Sequence, residues 1–97
     1  MMKIDKVFLG KDERITFDTG ELTVKNDDPE DWEAVLYGVE NQRFFMEALR
    51  DSRKEHLIFE TEAGTMDGMV AVEGLDPAAA ENVVTVTGTS TLNGYKQ

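Results

Sequence analysis

A chain of 97 residues with twenty Asp and Glu against ten Lys and Arg has a formal net charge of -10, and it contains no cysteine. That length allows one domain, residues 1–97, with a modest core. The acid excess excludes sequence-specific grip on nucleic acid, which needs clustered Lys and Arg, and opposes an anionic membrane surface, while the lack of Cys excludes disulfides, thiolate zinc and thiol nucleophiles.

With 40% hydrophobic and 31% charged residues, the chain has the composition of a folded globular domain rather than a disordered one. No apolar run approaches the roughly 20 residues that a membrane-spanning helix needs. The N-terminus acquires charge at Lys3 and Asp5, unlike a signal peptide, so the expected location is cytoplasmic.

In chain order, a short strand around Lys6–Leu9 ends at Gly10. Apolar residues then alternate in Arg14–Asp18 and again in Glu21–Lys25, which predicts a hairpin. A two-residue turn at Thr19-Gly20 sets Phe17 opposite Leu22 and Ile15 opposite Val24, all four on one face; a longer loop is the alternative. Residues 26–31 form a loop carrying Asp27, Asp28, Pro29, Glu30 and Asp31. Trp32–Tyr37 reads as a strand with Trp32, Ala34 and Leu36 on one face, stopped by Gly38. A helix beginning at Asp31, with Pro29 and Glu30 near its start, competes with that reading.

The period then changes. Phe45, Ala48 and Leu49 recur at helical spacing with Phe44 beside them, and Asn41 is a candidate N-cap, so one helix is expected from about Glu40 to Ser52. His56–Glu62 reads as a strand reaching a turn at Ala63-Gly64-Thr65. Met66–Glu73 runs back with Met66, Gly68, Val70 and Val72 on one face. Residues 74–82 are read as a loop with Pro77 and three alanines, which could close into one helical turn. A Val/Thr-rich strand follows over Asn82–Leu92, with Val84 and Val86 on one side. The expected class is α+β: mainly antiparallel β, a sandwich or half-barrel of six to seven strands, with one helix near residues 40–52. The expected core is Ile15, Phe17, Leu22, Val24, Phe45, Leu49, Leu57, Phe59, Val70 and Val72. A sheet protein this small has strand edges to manage, and pairing them with neighbouring subunits is one solution.

Catalytic patterns are missing. His56 is the only histidine, which excludes a His-based metal site by number and leaves an exposed or capping role as the simpler reading. Ser52 and Ser90, the only serines, lie outside any nucleophile-elbow pattern, and no glycine group forms a phosphate-binding loop. The acid run Asp27, Asp28, Glu30, Asp31 lacks the alternating spacing and terminal glutamate of a calcium loop, so it is read as a solvated, candidate interaction loop rather than a metal site. No enzyme activity, metal or cofactor is expected.

Several segments together resemble the tail-tube proteins of long-tailed bacteriophages and prophages. They are the Trp-bearing strand Trp32–Tyr37, the helix with Phe45 and Leu49, residues 56–75, and residues 81–94; the resemblance covers about two-thirds of the chain. Gly68 with Met69–Val72 matches a strand that opens on glycine, Leu75 matches a corner, and Gly88-Thr89-Ser90-Thr91-Leu92 approximates a closing motif in which Ser90 replaces a second glycine. The resemblance implies a virion structural protein, either a tail-tube-like subunit or a head-tail connection protein sharing the fold. Such a subunit self-assembles, for example into a hexameric ring, or joins other phage tail proteins, and is found in the host cytoplasm or the virion. An acidic ring would line a conduit along which DNA slides, because like charge prevents sticking. The other class consistent with the composition is a small acidic protein-binding module, or a DNA mimic that inhibits a basic partner.

Overall fold

A computed structural model describes residues 1–10, 13–76 and 81–95. Seven strands and one helix follow in the order β1 (Met2–Leu9), β2 (Glu13–Ile15), β3 (Thr19–Val24), β4 (Trp32–Tyr37), α1 (Gln42–Arg50), β5 (Lys54–Thr61), β6 (Gly64–Asp76) and β7 (Val83–Gly88). A single 3-10 turn over Lys25–Asp27 leads out of β3. All pairings are antiparallel, in the order β2-β1-β3-β4-β7-β6-β5, and a further pairing of β1 with β5 joins the ends. The sheet is therefore a closed six-stranded barrel, with β2 as an added short strand beside β1. The antiparallel α+β expectation holds at that level; "sandwich or half-barrel" gives way to full closure. Closure also removes most of the strand edges that invite pairing between subunits.

Three irregularities bend the sheet enough to close. Asp5 is an extra residue in β1, between the pairs Ile4↔Thr61 and Lys6↔Glu60. Glu73 is an extra residue in β6, between Val72↔Val86 and Gly74↔Thr85. Between β2 and β3 the chain also breaks out of the ladder over Thr16–Asp18. Such insertions increase local twist and turn corners in barrels.

The predicted hairpin at Thr19-Gly20 is overturned. Thr19 and Gly20 lie inside β3, opposite Tyr37 and Leu36. The hairpin turns instead after Leu9, so Ile15 faces Val7 and Leu22 faces Met2 and Ala34. Gly10, at φ +64, ends β1, and β2 runs back beside β1 from Glu13. Gly20 points inward instead, where a Cβ would lie 2.7 Å from Leu36 Cδ2.

β4 is a strand, not a helix, and it buries Trp32, Ala34 and Leu36 as its alternation predicts. Gly38, at φ +68, ends it. α1 is shorter than expected at each end. Asn41 does occupy its N-cap position without bonding the helix; its Oδ1 accepts from the Thr16 amide at 3.0 Å instead, tying the helix entry to the β2–β3 break. Asn82 does the same from the other side: its side chain accepts from the Val39 amide at 2.9 Å and donates to the Val39 carbonyl at 3.0 Å.

The core is one continuous cluster filling the barrel and extending under α1, which adds Phe45 and Ala48. Ile15, Leu22, Leu57, Phe59, Val70 and Val72 are buried as expected, and Phe17 and Val24 are half-buried against the cluster. Leu49 is a correction, since it is 40% exposed on the flank of the helix. β6 runs on to Asp76, so the predicted 74–82 loop starts later, and its Pro77 and alanines lie outside the described residues. β7 ends at Gly88 rather than Leu92, although Leu92 is itself buried. No helix of the described residues is long and apolar enough to cross a membrane.

Candidate functional site

The acidic loop sits at one end of the barrel, where β3 ends and β4 begins, and its backbone is built rather than loose. The Lys25 amide donates to the Asp31 carbonyl (2.8 Å), the Asp28 amide to Lys25 (3.0 Å) and the Asp31 amide to Asp28 (2.9 Å). Asn26 and Asp27 adopt positive φ to close the turn. The Asp28 carboxylate accepts from the Glu30 amide at 2.9 Å, an Asx turn that fixes its direction.

The segment after β7 then straps the loop down. Leu92 donates its amide to the Pro29 carbonyl at 2.8 Å. The Thr91 hydroxyl donates to the Glu30 carboxylate, and the Tyr95 hydroxyl to Asp27. That carboxylate holds the Tyr95 phenol above its ordinary pKa of 10.0, with desolvation adding to the effect. Asp27, Asp28, Glu30 and Asp31 are thus brought together at one exposed end, two of them held by hydroxyls whose role no sequence spacing announces. Substituting Tyr95 by Phe is expected to leave the fold intact while speeding amide hydrogen exchange across residues 25–31 several-fold; unchanged exchange there would show that the strap does not order the loop.

Trp32 anchors the loop's exit. Its indole is buried, donates Nε1–H to the Ser90 carbonyl at 2.8 Å, and meets Phe59 edge-on at 5.9 Å and 86°. It fits only because β6 and β7 present glycines beneath it. A Cβ on Gly68 would stand 2.6 Å from Trp32 Cζ2, and one on Gly88 2.1 Å from Cε2. A shallow cavity of about 380 Å³ opens at the same end, lined by Met1, Met2, Val24, Ala63, Met66, Gly94 and Tyr95.

The His56 side chain is 41% exposed, and it also has a partner. It lies on the outer face of β5, with Nε2 2.8 Å from Asp67 Oδ2 on β6. The Asn93 amide group donates to the same oxygen at 3.2 Å, and the Asn93 and Asp67 backbones exchange two further bonds of 2.8 and 3.0 Å. The bond from His56 holds the Asp67 carboxyl below its ordinary 3.8; partial burial opposes this, and Asn93 and the His56 charge assist it. Because the folded carboxyl binds its proton less tightly than the unfolded one, the contribution is complete above that ordinary value and is lost as pH falls through the lowered native value. Both side chains are about two-fifths exposed or less (41% and 35%), so Asp67→Asn should cost under about 1 kcal/mol at pH 7. In urea titrations the difference between the two proteins should shrink below about pH 4; a difference undiminished at pH 2 would assign it to something other than the carboxylate.

Among the described residues no group of three or more His, Asp or Glu is placed to hold a metal ion. In comparisons with known proteins, no family model matches this chain, and no curated protein or solved structure is significantly similar to it.

Proposed function

We propose that this chain is an architectural subunit of a phage or prophage virion, tail-tube-like or at the head-tail connection, that self-assembles into rings enclosing an acidic path for DNA. The observation that supports this reading is the carboxylate cluster Asp27, Asp28, Glu30 and Asp31 held at one end of a closed barrel. On the outer wall Glu33 adds charge, while Glu21 lies opposite Lys3, Glu60 opposite Lys6 and Asp67 beside His56. Fixed negative charge repels the DNA backbone and lets it slide. We infer that assembly would use side chains on the barrel's ends and helix, since closure leaves few free strand edges. Negative-stain electron microscopy of the concentrated protein should reveal rings or short tubes; dispersed single barrels at every concentration would refute the reading.

A second reading is favoured by the strap itself. Holding Asp27 and Glu30 by hydroxyl donors pre-organises carboxylates as a phosphate mimic for a basic partner would require. Binding to such a partner should be salt-sensitive and should collapse when Asp27, Asp28, Glu30 and Asp31 are changed to Asn or Gln. Undiminished binding by that variant would exclude the loop as the mimic.

A further inference from the structure

Of the asparagines Asn26, Asn41, Asn82 and Asn93, only Asn93 is followed by glycine. That order leaves the side-chain amide open to attack by the next backbone nitrogen, because glycine has no Cβ to shield it. Here the fold requires the glycine. Gly94 stands at φ +90, and a Cβ on it would lie 2.4 Å from the Thr65 carbonyl oxygen. Asn93 and Gly94 are both exposed to water. Among the described residues none accepts a hydrogen bond from the Gly94 amide.

Asn93 is also the point at which the strap is fastened to the barrel wall. Its backbone exchanges bonds of 2.8 and 3.0 Å with Asp67. Its Nδ2 donates at 3.2 Å to Asp67 Oδ2, the oxygen that His56 also reaches. On either side of it the strap buries Leu92 and holds the acidic loop through Thr91 and Tyr95. The most exposed chemistry of the strap therefore lies at its anchor.

We propose that Asn93 is a deamidation site and that its conversion releases the strap from the barrel. The Gly94 nitrogen, giving up its proton to solvent, attacks Asn93 Cγ. A bond from that nitrogen to Cγ forms as the Cγ–Nδ2 bond breaks, and Nδ2 leaves as ammonia after taking a proton from water. Water then opens the cyclic imide to aspartate or isoaspartate, with no oxidant or reductant involved. Either product puts a carboxylate where a donor faced Asp67, so an attraction becomes repulsion between like charges. Isoaspartate also lengthens the main chain, which breaks the paired backbone bonds. Those same bonds slow the reaction while the strap is closed, so the rate follows its local opening. The result is a one-way, age-dependent release that stands whether or not the barrel assembles.

Incubating the folded full chain in warm, mildly alkaline buffer and mapping its peptides by mass spectrometry tests the site. Asn93 should convert at least about tenfold faster than Asn26, Asn41 or Asn82; conversion no faster than theirs overturns the site. The aged form is separable by anion exchange through its added negative charge. Its amide hydrogens across residues 25–31 and 89–95 should exchange several-fold faster than in fresh protein. Asn93→Asp, made directly and shown to fold by circular dichroism, should reproduce that loosening without ageing. Exchange unchanged in the aged form overturns release of the strap. Asn93→Gln keeps an amide donor without added charge and should show no drift in exchange as it ages. A drift in that variant equal to that of the unaltered chain would place the cause outside Asn93 and overturn the proposal.

Discussion

Replacing Trp32 by alanine should destabilise the protein by about 3–5 kcal/mol, the largest effect expected of any single substitution. The indole is buried at 1% exposure and lies edge-on to Phe59. It also supplies the donor to the Ser90 carbonyl, which would be left without that bond. Glycines at positions 68 and 88 border part of the space it fills, so on that side there is no side chain to close the cavity. In a domain of this size that loss lowers the melting temperature by about 15–30 °C. The effect should reach the site as well. Trp32 fixes the end of the acidic loop, and hydrogen exchange across residues 25–31 should accelerate beyond what global destabilisation accounts for. A melting point lowered by only a few degrees would mean that the indole is not packed as described.

Gly88→Ala is expected to be nearly as damaging for the opposite reason. The added carbon would stand 2.1, 2.3 and 2.5 Å from three atoms of the indole. A rigid ring system that also rests on Gly68 beside it cannot yield as a flexible side chain would. Overpacking of this kind costs at least about 1–3 kcal/mol. The informative measurement is the double-mutant cycle by urea unfolding. In the Trp32→Ala background, Gly88→Ala should cost little or even restore stability, because the methyl then enters vacated space. Additive losses would place the source of the Gly88 effect in the strand backbone instead.

These two residues also show how far the sequence could be read. The alternation of Trp32, Ala34 and Leu36 is a local pattern, and it was sufficient to identify β4 and its inward face. Gly68 and Gly88 fall within expected strands but read in sequence as turn glycines; their reason is a contact with Trp32, more than thirty positions away, which no local pattern carries. β1 was half-missed because the extra residue at Asp5 places the inward residues Ile4 and Val7 three apart, breaking the period of two. The hairpin was misplaced because Thr19-Gly20 and Gly10 are both plausible turn glycines in sequence; the positive φ at Gly10 and the close approach of Leu36 to Gly20 are tertiary facts. Barrel closure depends on β1 meeting β5 across some fifty residues, a long-range pairing that composition and periodicity leave open. The α+β class and the position of α1 followed from periodicity alone.

The site divides in the same way. The acidic loop was visible as a run of charge, yet its rigidity comes from Thr91, Leu92 and Tyr95 at the far end of the chain. His56 was legible only as a lone histidine; its pairing with Asp67 depends on the register of β5 against β6, in which Ile58 lies opposite Asp67. Helical spacing alone places Leu49 in the core, whereas it is 40% exposed on the flank of α1.

Sedimentation equilibrium of the unaltered chain over a wide concentration range tests the central claim, that this barrel is a building unit, most directly. The account predicts mass action from 10.9 kDa barrels toward a discrete closed oligomer or an extending polymer. A single 10.9 kDa species at millimolar concentration would contradict it.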